Sequence, residues 1–549
     1  MKSNESSIQP VFYWAVGILS LVIISGVAIP NLFETVTSNV QAFISSTFGW
    51  YYLIAVTFFM IVCLFIIFSP YGKIKLGKDD DKPEFGYLSW FAMLFSAGMG
   101  IGLVFFGVAE PISHFAINSP TVDEGTVEAA RESMRFVFFH YGIHAWGIYA
   151  IIAICLAYFT YRKGKSGLIS GTLSPLMNTD GLLGKVIDTF ALIATVTGIV
   201  TSLGFGAVQM NGGISYLTDL PISFWLQAII IVIVTILFLT SAMTGIDKGI
   251  RILSNFNMLL ALLLLLFIAG FGATLYSMNL FTNTLGTYLQ TLPELSFRIA
   301  PGSPESRSWI NDWTIFYWAW WIAWSPYVGT FIARVSRGRT LREFTVAVLI
   351  VPSIVGFIWF SIVGGTGMSL ELNDVISLSS LGDEEMMFGL LSTMPISTIT
   401  SILTIGLIAV FFITSADSAT FVLGMHSTNG SLNPPNKIKF TWGVILAAMA
   451  IVLLYSGGLQ ALQNVMIIAA FPFSIILLLM VFSLLKSLRY EQIRVTVQEK
   501  KEIRELRQWK RKQEKEAKKE KSANKKMKRK KGVEPVQESS VEDEDKPKQ

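Results

Sequence analysis

Long apolar runs separated by short polar loops set the layout of this chain. Stretches long enough to cross about 30 Å of hydrocarbon predict about twelve membrane-spanning helices. They lie near residues 11–29, 50–69, 87–109, 136–160, 186–212, 222–243, 252–276, 309–333, 343–367, 396–426, 438–457 and 461–485. Residues 277–308 read as an extracellular connector with an amphipathic helix. The third run is interrupted by Ala97-Gly98-Met99-Gly100-Ile101-Gly102 and the eighth by Ser325-Pro326. Three glycines at every second position serve a continuous helix badly, since each weakens it by up to ~1 kcal/mol relative to alanine. Unwound backbone is therefore expected in both runs. Interrupted helices at matching positions of two halves mark the binding site of inverted-repeat membrane carriers. Each would open a five-span unit, 87–276 and 309–485, and because five is odd the second unit has the opposite orientation. Residues 1–86 hold an N-terminal segment and two peripheral helices. The expected fold class is an all-α polytopic membrane protein with a five-plus-five inverted-repeat core.

Composition supports this class. Of 549 residues, 52% are hydrophobic and 15% charged, a balance whose apolar surface a water-soluble domain could not bury. The first run has only Lys2 ahead of it and no clear small-residue cleavage site, so it is read as a retained span. Cys63 and Cys155 fall inside spans and read as small apolar packing groups. The four histidines, at 114, 140, 144 and 426, form no Cys/His cluster or His-Glu motif with metal-ligand spacing, so a membrane metalloenzyme finds no support.

Orientation follows from loop charge, because Lys and Arg are retained on the cytoplasmic side. With the N-terminus inside, the cytoplasmic loops carry Lys73, Lys75 and Lys78, then Arg162, Lys163 and Lys165, then Lys248 and Arg251, then Arg334, Arg337, Arg339 and Arg342, then Lys437 and Lys439. Opposite loops hold Asp123, Glu124 and Glu128, and Asp383, Glu384 and Glu385. Both termini are expected in the cytoplasm.

The densest chemistry lies in the eighth run, Trp318-Ala319-Trp320-Trp321-Ile322-Ala323-Trp324-Ser325-Pro326-Tyr327. Tryptophan favours the headgroup interface, where its N–H meets water, so a cluster at mid-span points to a protein-lined cavity. Trp318, Trp321, Trp324 and Tyr327 recur every third residue and read as one nearly continuous aromatic stripe. Ring faces of this kind hold a quaternary ammonium, a cation with no N–H to donate.

These segments carry a family resemblance. Gly98-Met99-Gly100-Ile101-Gly102, Ala319-Trp320-Trp321-Ile322-Ala323-Trp324-Ser325-Pro326 with Phe331-Ile332-Ala333-Arg334-Val335-Ser336-Arg337-Gly338-Arg339, and Thr414-Ser415-Ala416-Asp417-Ser418 resemble the betaine/choline/carnitine transporters. The resemblance covers nearly the whole chain except its tail. It implies twelve spans, a core of the neurotransmitter/sodium symporter type, a homotrimer in the plasma membrane, and uptake of a small quaternary ammonium compound without a cofactor. The substrate site then comprises Tyr141, Trp146, Tyr149, Trp321, Trp324 and the glycines Gly98, Gly100 and Gly102. Tyr141 stands where better-known betaine carriers have tryptophan. Trp321 is the principal ammonium contact, Trp324 belongs to the inward path and Trp320 is structural.

The resemblance also implies Na⁺ as coupling ion, a hard cation that takes oxygen ligands. One site would use Ser96, Met99 and Phe411 through backbone oxygens, with the hydroxyls of Thr414 and Ser415. A second would include Thr195 and Tyr327. There the sequence departs: Ile199 replaces a hydroxyl-bearing threonine one turn on, and Tyr327 replaces phenylalanine. Gly102 stands where proton-coupled choline carriers of this family have aspartate. Without that carboxylate a zwitterion such as glycine betaine is favoured, its carboxylate accepting from freed N–H groups. Glu110, Asp417, His140 and His144 read as locally hydrogen-bonded or packed.

The tail, 486–549, carries the positive excess. Lys486–Gly532 holds 20 Lys/Arg against 7 Asp/Glu, within a chain of net charge +5. Spacing around Glu502–Lys521 suits a polar helix with i, i+4 pairs, and Lys525–Lys531 reads as irregular. Such a segment gains ~1 kcal/mol per basic residue near anionic lipid. The expected function is Na⁺-coupled uptake of glycine betaine, open to osmotic control. A choline or carnitine carrier or exchanger is the alternative, and a channel or membrane enzyme the different-class one.

Overall fold

The computed structural model describes residues 8–530 apart from Met99, Asp219, Gly245 and Ile246, and apart from the side chains at 96, 97, 244, 247–252, 494–500, 528 and 529. Apart from one isolated antiparallel bridge between Lys75 and Thr340, the described regular structure is helical. The elements are α1 (Pro10–Ala28), α2 (Pro30–Phe68), α3 (Tyr87–Gly98), α4 (Ile101–Ile112), α5 (Val127–Tyr141), α6 (Ile143–Ala157), α7 (Ile169–Thr172), α8 (Leu182–Thr218) and α9 (Phe224–Thr244). There follow α10 (Asp247–Phe271), α11 (Thr274–Phe297), α12 (Pro304–Trp309), α13 (Phe316–Val335), α14 (Leu341–Leu372), α15 (Met386–Ser392), α16 (Ser397–Ser427) and α17 (Asn436–Lys530). Short π-helical turns at Ser113–Ile117 and Ile310–Ile315 flank the site described below.

Among the described residues, nine helices are long and apolar enough to cross a membrane. The expected spans 87–109 and 309–333 are not among them. The first is divided between α3 and α4, and the second, α13, carries too many tryptophans to be strongly apolar. The expected spans 438–457 and 461–485 both fall within α17, whose backbone leaves helical geometry at Gly457 and Gly458. Gly458 has φ +63°, which a residue without Cβ adopts at no steric cost. Expected span 50–69 is the second half of a 39-residue helix, because Asn31, Glu34 and Asn39 make residues 30–49 polar without making them non-helical.

Two interruptions matter. Between α3 and α4, Gly100 has φ −153° and ψ −135°, outside helical geometry, as expected from the glycine run. The other is a correction: α13 is helical through Ser325-Pro326. Proline removes one backbone donor, and the Ser325 hydroxyl supplies a replacement, donating to Ile322 O at 2.8 Å. A break instead occurs at Gly142, between α5 and α6 and inside the expected span 136–160. A Cβ there would lie 2.4 Å from Phe138 O and 2.6 Å from the Tyr288 hydroxyl. That hydroxyl accepts from Ile143 N–H at 3.3 Å, satisfying a donor the break exposes. Tyr288 belongs to α11, in the region expected to be a connector. One edge of α11, with Ser277, Leu280, Thr284 and Tyr288 at i, i+3, i+7 and i+11, is buried against α5 and α14.

Contacts divide the chain into two units, Met1–Lys486 and Ser487–Gln549. In the first, α13 packs along α6 and α8, α16 lies along α8, and α4 packs on α14. Small residues allow the close approach: a Cβ on Gly329 would come 2.4 Å from Ile152 and one on Gly198 3.0 Å from Trp324 N. In the second unit the described side chains from 501 on are exposed and the backbone is helical to Lys530. The stretch Lys525–Lys530, expected to be irregular, is thus helical, in keeping with lysine's high helix propensity.

Candidate substrate site

The break at Gly142 and the glycine run at α3–α4 bring backbone and aromatic rings together. Gly98, Tyr141, Ala145, Trp146, Tyr149 and Trp321 line one narrow pocket, too constricted in this structure to admit a water molecule. Tyr141 ends α5 while Trp146 and Tyr149 lie on α6, so the box is assembled across the break and not along one continuous helix face. Trp321 meets Tyr141 edge to face at 5.5 Å and 72°, and Tyr149 at 6.1 Å and 70°. Trp146 meets Tyr149 at 5.5 Å and 73°. These angles set the rings as roughly perpendicular walls around the pocket, an arrangement suited to a trimethylammonium group.

Gly98 is where backbone meets this wall. A Cβ on it would lie 2.4 Å from the Trp146 ring, so any side chain would displace the indole. Gly100 and Gly102 are not pocket-lining. A Cβ at Gly100 would touch the Ser415 hydroxyl and the Trp324 ring, each at 3.8 Å, and one at Gly102 would lie 2.8 Å from Trp320. Trp324 likewise lies outside the pocket and packs on Tyr327 at 5.7 Å.

The expected single aromatic stripe on α13 does not form. Steps of three residues fall 60° short of a full turn, so the four rings spread around the helix. Trp318 packs against Phe139 and His144, Trp321 faces the pocket, and Trp320 stacks on Trp321 at 5.1 Å and 7° while its other neighbours include Phe205.

Behind the pocket lies a polar cluster that sequence reasoning undervalued. Glu110 is fully buried; its Oε2 accepts from the Tyr317 hydroxyl and its Oε1 lies 2.7 Å from His140 Nδ1. His140 Nε2 is 3.0 Å from the Thr314 hydroxyl. His114 Nε2 is 3.4 Å from Glu110 Oε1, one helical turn along. The ligand atoms of Glu110, His114 and His140 lie within 4.8 Å of one another, a set that could hold a metal ion, although both Glu110 oxygens already have protein partners. The Glu110/His114 spacing of four residues was the available signal. Its third member, His140, lies thirty residues on and joins only by folding.

The expected Na⁺ ligands are partly brought together. Phe411, Thr414 and Ser415 lie on one turn of α16, and the Gly100 contact places Ser415 against the α3–α4 break. The Thr414 hydroxyl donates to Val410 O at 2.8 Å, leaving its lone pairs for a cation. Met99 and the side chain of Ser96 lie outside the described residues. Thr195 donates to Ala191 O at 2.6 Å, which likewise leaves its lone pairs free.

Residues 10–493 match the family described as BCCT, betaine/carnitine/choline family transporter. The chain is 57% identical over 495 residues to the glycine betaine transporter OpuD of Bacillus subtilis, covering 90% of this chain and 97% of that one. It is 42% identical to the ectoine/hydroxyectoine transporter of Virgibacillus pantothenticus, over 88% of this chain and 97% of the relative. A probable glycine betaine transporter of Desulfitobacterium hafniense is 45% identical, over 87% and 97%. With its apolar helices and its paired aromatic walls, the chain belongs to the betaine/carnitine/choline family of membrane transporters.

Proposed function

We propose that this protein takes up glycine betaine by symport with Na⁺. The observation that carries the reading is the pocket formed by Tyr141, Trp146, Tyr149 and Trp321 against Gly98. Its rings suit a quaternary ammonium, and no acid lines it, so a net-neutral solute needs no charge compensation there. Similarity to a glycine betaine transporter over most of both chains supports the same substrate. Na⁺ is held by carbonyls of the α3–α4 break and by Phe411, Thr414 and Ser415. The second site, with Thr195 and Tyr327, receives less support, because Ile199 offers no hydroxyl one turn on from Thr195.

In this reading the core is a pair of inverted repeats, 87–276 and 309–485, in a twelve-span homotrimer of the cell membrane. Both termini lie in the cytoplasm and the basic tail meets anionic lipid. Uptake of labelled glycine betaine, choline, carnitine and ectoine into proteoliposomes tests this, with and without an inward Na⁺ gradient. Betaine accumulation that requires the gradient is expected. Accumulation of another solute alone, or gradient-independent flux, would overturn it.

A further inference from the structure

Besides His114, the Glu110 carboxylate has two partners, His140 and Tyr317, and each leads to a different wall of the aromatic pocket. Through Oε1 it meets His140, whose carbonyl oxygen accepts the Trp321 indole N–H at 3.0 Å. Through Oε2 it accepts from the Tyr317 hydroxyl. Tyr317 has only one hydroxyl proton, which is committed to Glu110, so the 3.2 Å contact between the Tyr141 and Tyr317 hydroxyls has Tyr141 as donor. Tyr317 also stacks on Trp321 at 5.6 Å and 26°. One chain of hydrogen bonds therefore runs from the buried carboxylate through Tyr317 to Tyr141, while the residue whose backbone carbonyl receives Trp321, His140, is tethered to the same carboxylate by its imidazole; Trp321 and Tyr141 are the two rings that meet edge to face in the pocket.

We infer that Glu110 is a positioning residue for substrate binding, fixing the mutual orientation of Trp321 and Tyr141 without touching the substrate. It lines no part of the pocket, and the hydrogen bond that Tyr141 makes to Tyr317 anchors the tip of its ring from outside the pocket. A buried carboxylate accepting two hydrogen bonds is stronger than a neutral acceptor and is lost only at high cost. Cation–π attraction depends on the ring face presented, so release of either ring weakens binding before it alters the transport cycle. The inference rests on the pocket being the substrate site.

The test uses full-length protein in proteoliposomes, with betaine binding followed by tryptophan fluorescence. Glu110→Ala is expected to raise the apparent KM and the binding constant for betaine about tenfold, while the maximal rate per folded transporter stays within about twofold. Glu110→Gln, whose amide still reaches both partners, recovers most of the affinity. Tyr317→Phe removes a single oxygen and weakens binding in the same direction. Because both act on Tyr141 through one path, combining Tyr317→Phe with Glu110→Ala adds little to Glu110→Ala alone. Should Glu110→Ala not fold, Tyr317→Phe and Glu110→Gln carry the same comparison. Unchanged affinity in Tyr317→Phe, a loss confined to maximal rate, or fully additive effects would overturn the inference. Trp321→Ala serves as the control. If it too leaves binding unchanged, the pocket is not the substrate site; if it abolishes binding while Tyr317→Phe does not, only the role of Glu110 fails.

Discussion

Trp321 donates its indole N–H to the backbone carbonyl of His140 at 3.0 Å, two residues before the helix break at Gly142. The ring most exposed to the pocket is thereby tied to the end of α5, whose last residue, Tyr141, forms the neighbouring wall. Loss of this ring removes a cation–π face worth about 2 kcal/mol in a desolvated site. Trp321→Ala is expected to weaken betaine binding roughly 30-fold or more, and Trp321→Phe to retain part of it. Equilibrium binding to purified, folded variants checks this, and unaltered affinity in the alanine variant refutes the assignment.

Gly98 meets Trp146 more closely than any Cβ could tolerate. Gly98→Ala therefore pushes the indole into the pocket or away from Tyr149. A loss of about tenfold in betaine affinity, comparable with forfeiting one ring contact of ~1 kcal/mol or slightly more, is expected with little change in expression. Wild-type binding by Gly98→Ala would show that Trp146 moves freely and does not shape the site.

Gly102→Asp introduces a carboxylate at a residue whose backbone oxygen lies 3.5 Å from the Tyr141 hydroxyl. Its Cβ must also displace Trp320, 2.8 Å away. The variant is expected to take up betaine more slowly, to favour cationic choline, and to depend less on Na⁺. Competition uptake assays at several Na⁺ concentrations decide it. Unchanged preference and Na⁺ dependence would leave Gly102 as a packing position.

Outside the spans, the segment after α2 is strapped to the loop after α13. Leu76 N–H donates to Arg339 O, and Gly338 and Leu341 N–H donate to Leu76 and Ile74 O, each at 2.8 Å. Arg337 closes the strap by a two-pronged contact with Asp81, at 3.0 and 3.2 Å. The hydrogen bonds from Arg337 hold the Asp81 carboxyl below its ordinary value of 3.8. A lowered carboxyl pKa stabilises the closed strap above 3.8, and that contribution disappears as pH falls through the still lower folded value. Asp81→Asn is expected to speed backbone hydrogen exchange at 76–82 already at neutral pH, and raised salt to do so partially. Identical exchange in wild type and variant would show that the backbone bonds alone hold the segment.

Removing the chain after Lys486 is expected to leave substrate affinity intact and to flatten the response of uptake to hyperosmotic stress. The pocket and the candidate ion ligands lie before that residue, and a tail with 21 Lys/Arg reports salt and membrane charge through screened contacts. Uptake by both proteins in anionic liposomes across an osmolality series checks this. Superimposable activation curves would remove the tail from regulation.

The sequence by itself determined the helical membrane class and the interruption at Gly98–Gly102, because apolar run length and glycine spacing are local properties of the chain, whereas Tyr141, Trp146 and Tyr149 follow only from the family resemblance. It also located the division between 457 and 461, where α17 breaks at Gly457 and Gly458. Only the tertiary structure decided how these parts meet. Ser325-Pro326 stays helical with a serine hydroxyl in place of the missing donor, whereas the backbone leaves helical geometry at Gly142, a position held by glycine because Phe138 and Tyr288 leave no room for a Cβ. That steric fact depends on α11, which is remote in sequence. The expected stripe of Trp318, Trp321, Trp324 and Tyr327 divided for a related reason: helical twist fans the rings out, and neighbouring helices select which one faces the pocket. Glu110 gained its place behind the box only when α4, α5 and α13 were packed together, since hydrogen bonds to His140 and Tyr317 join residues 30 and 207 positions apart.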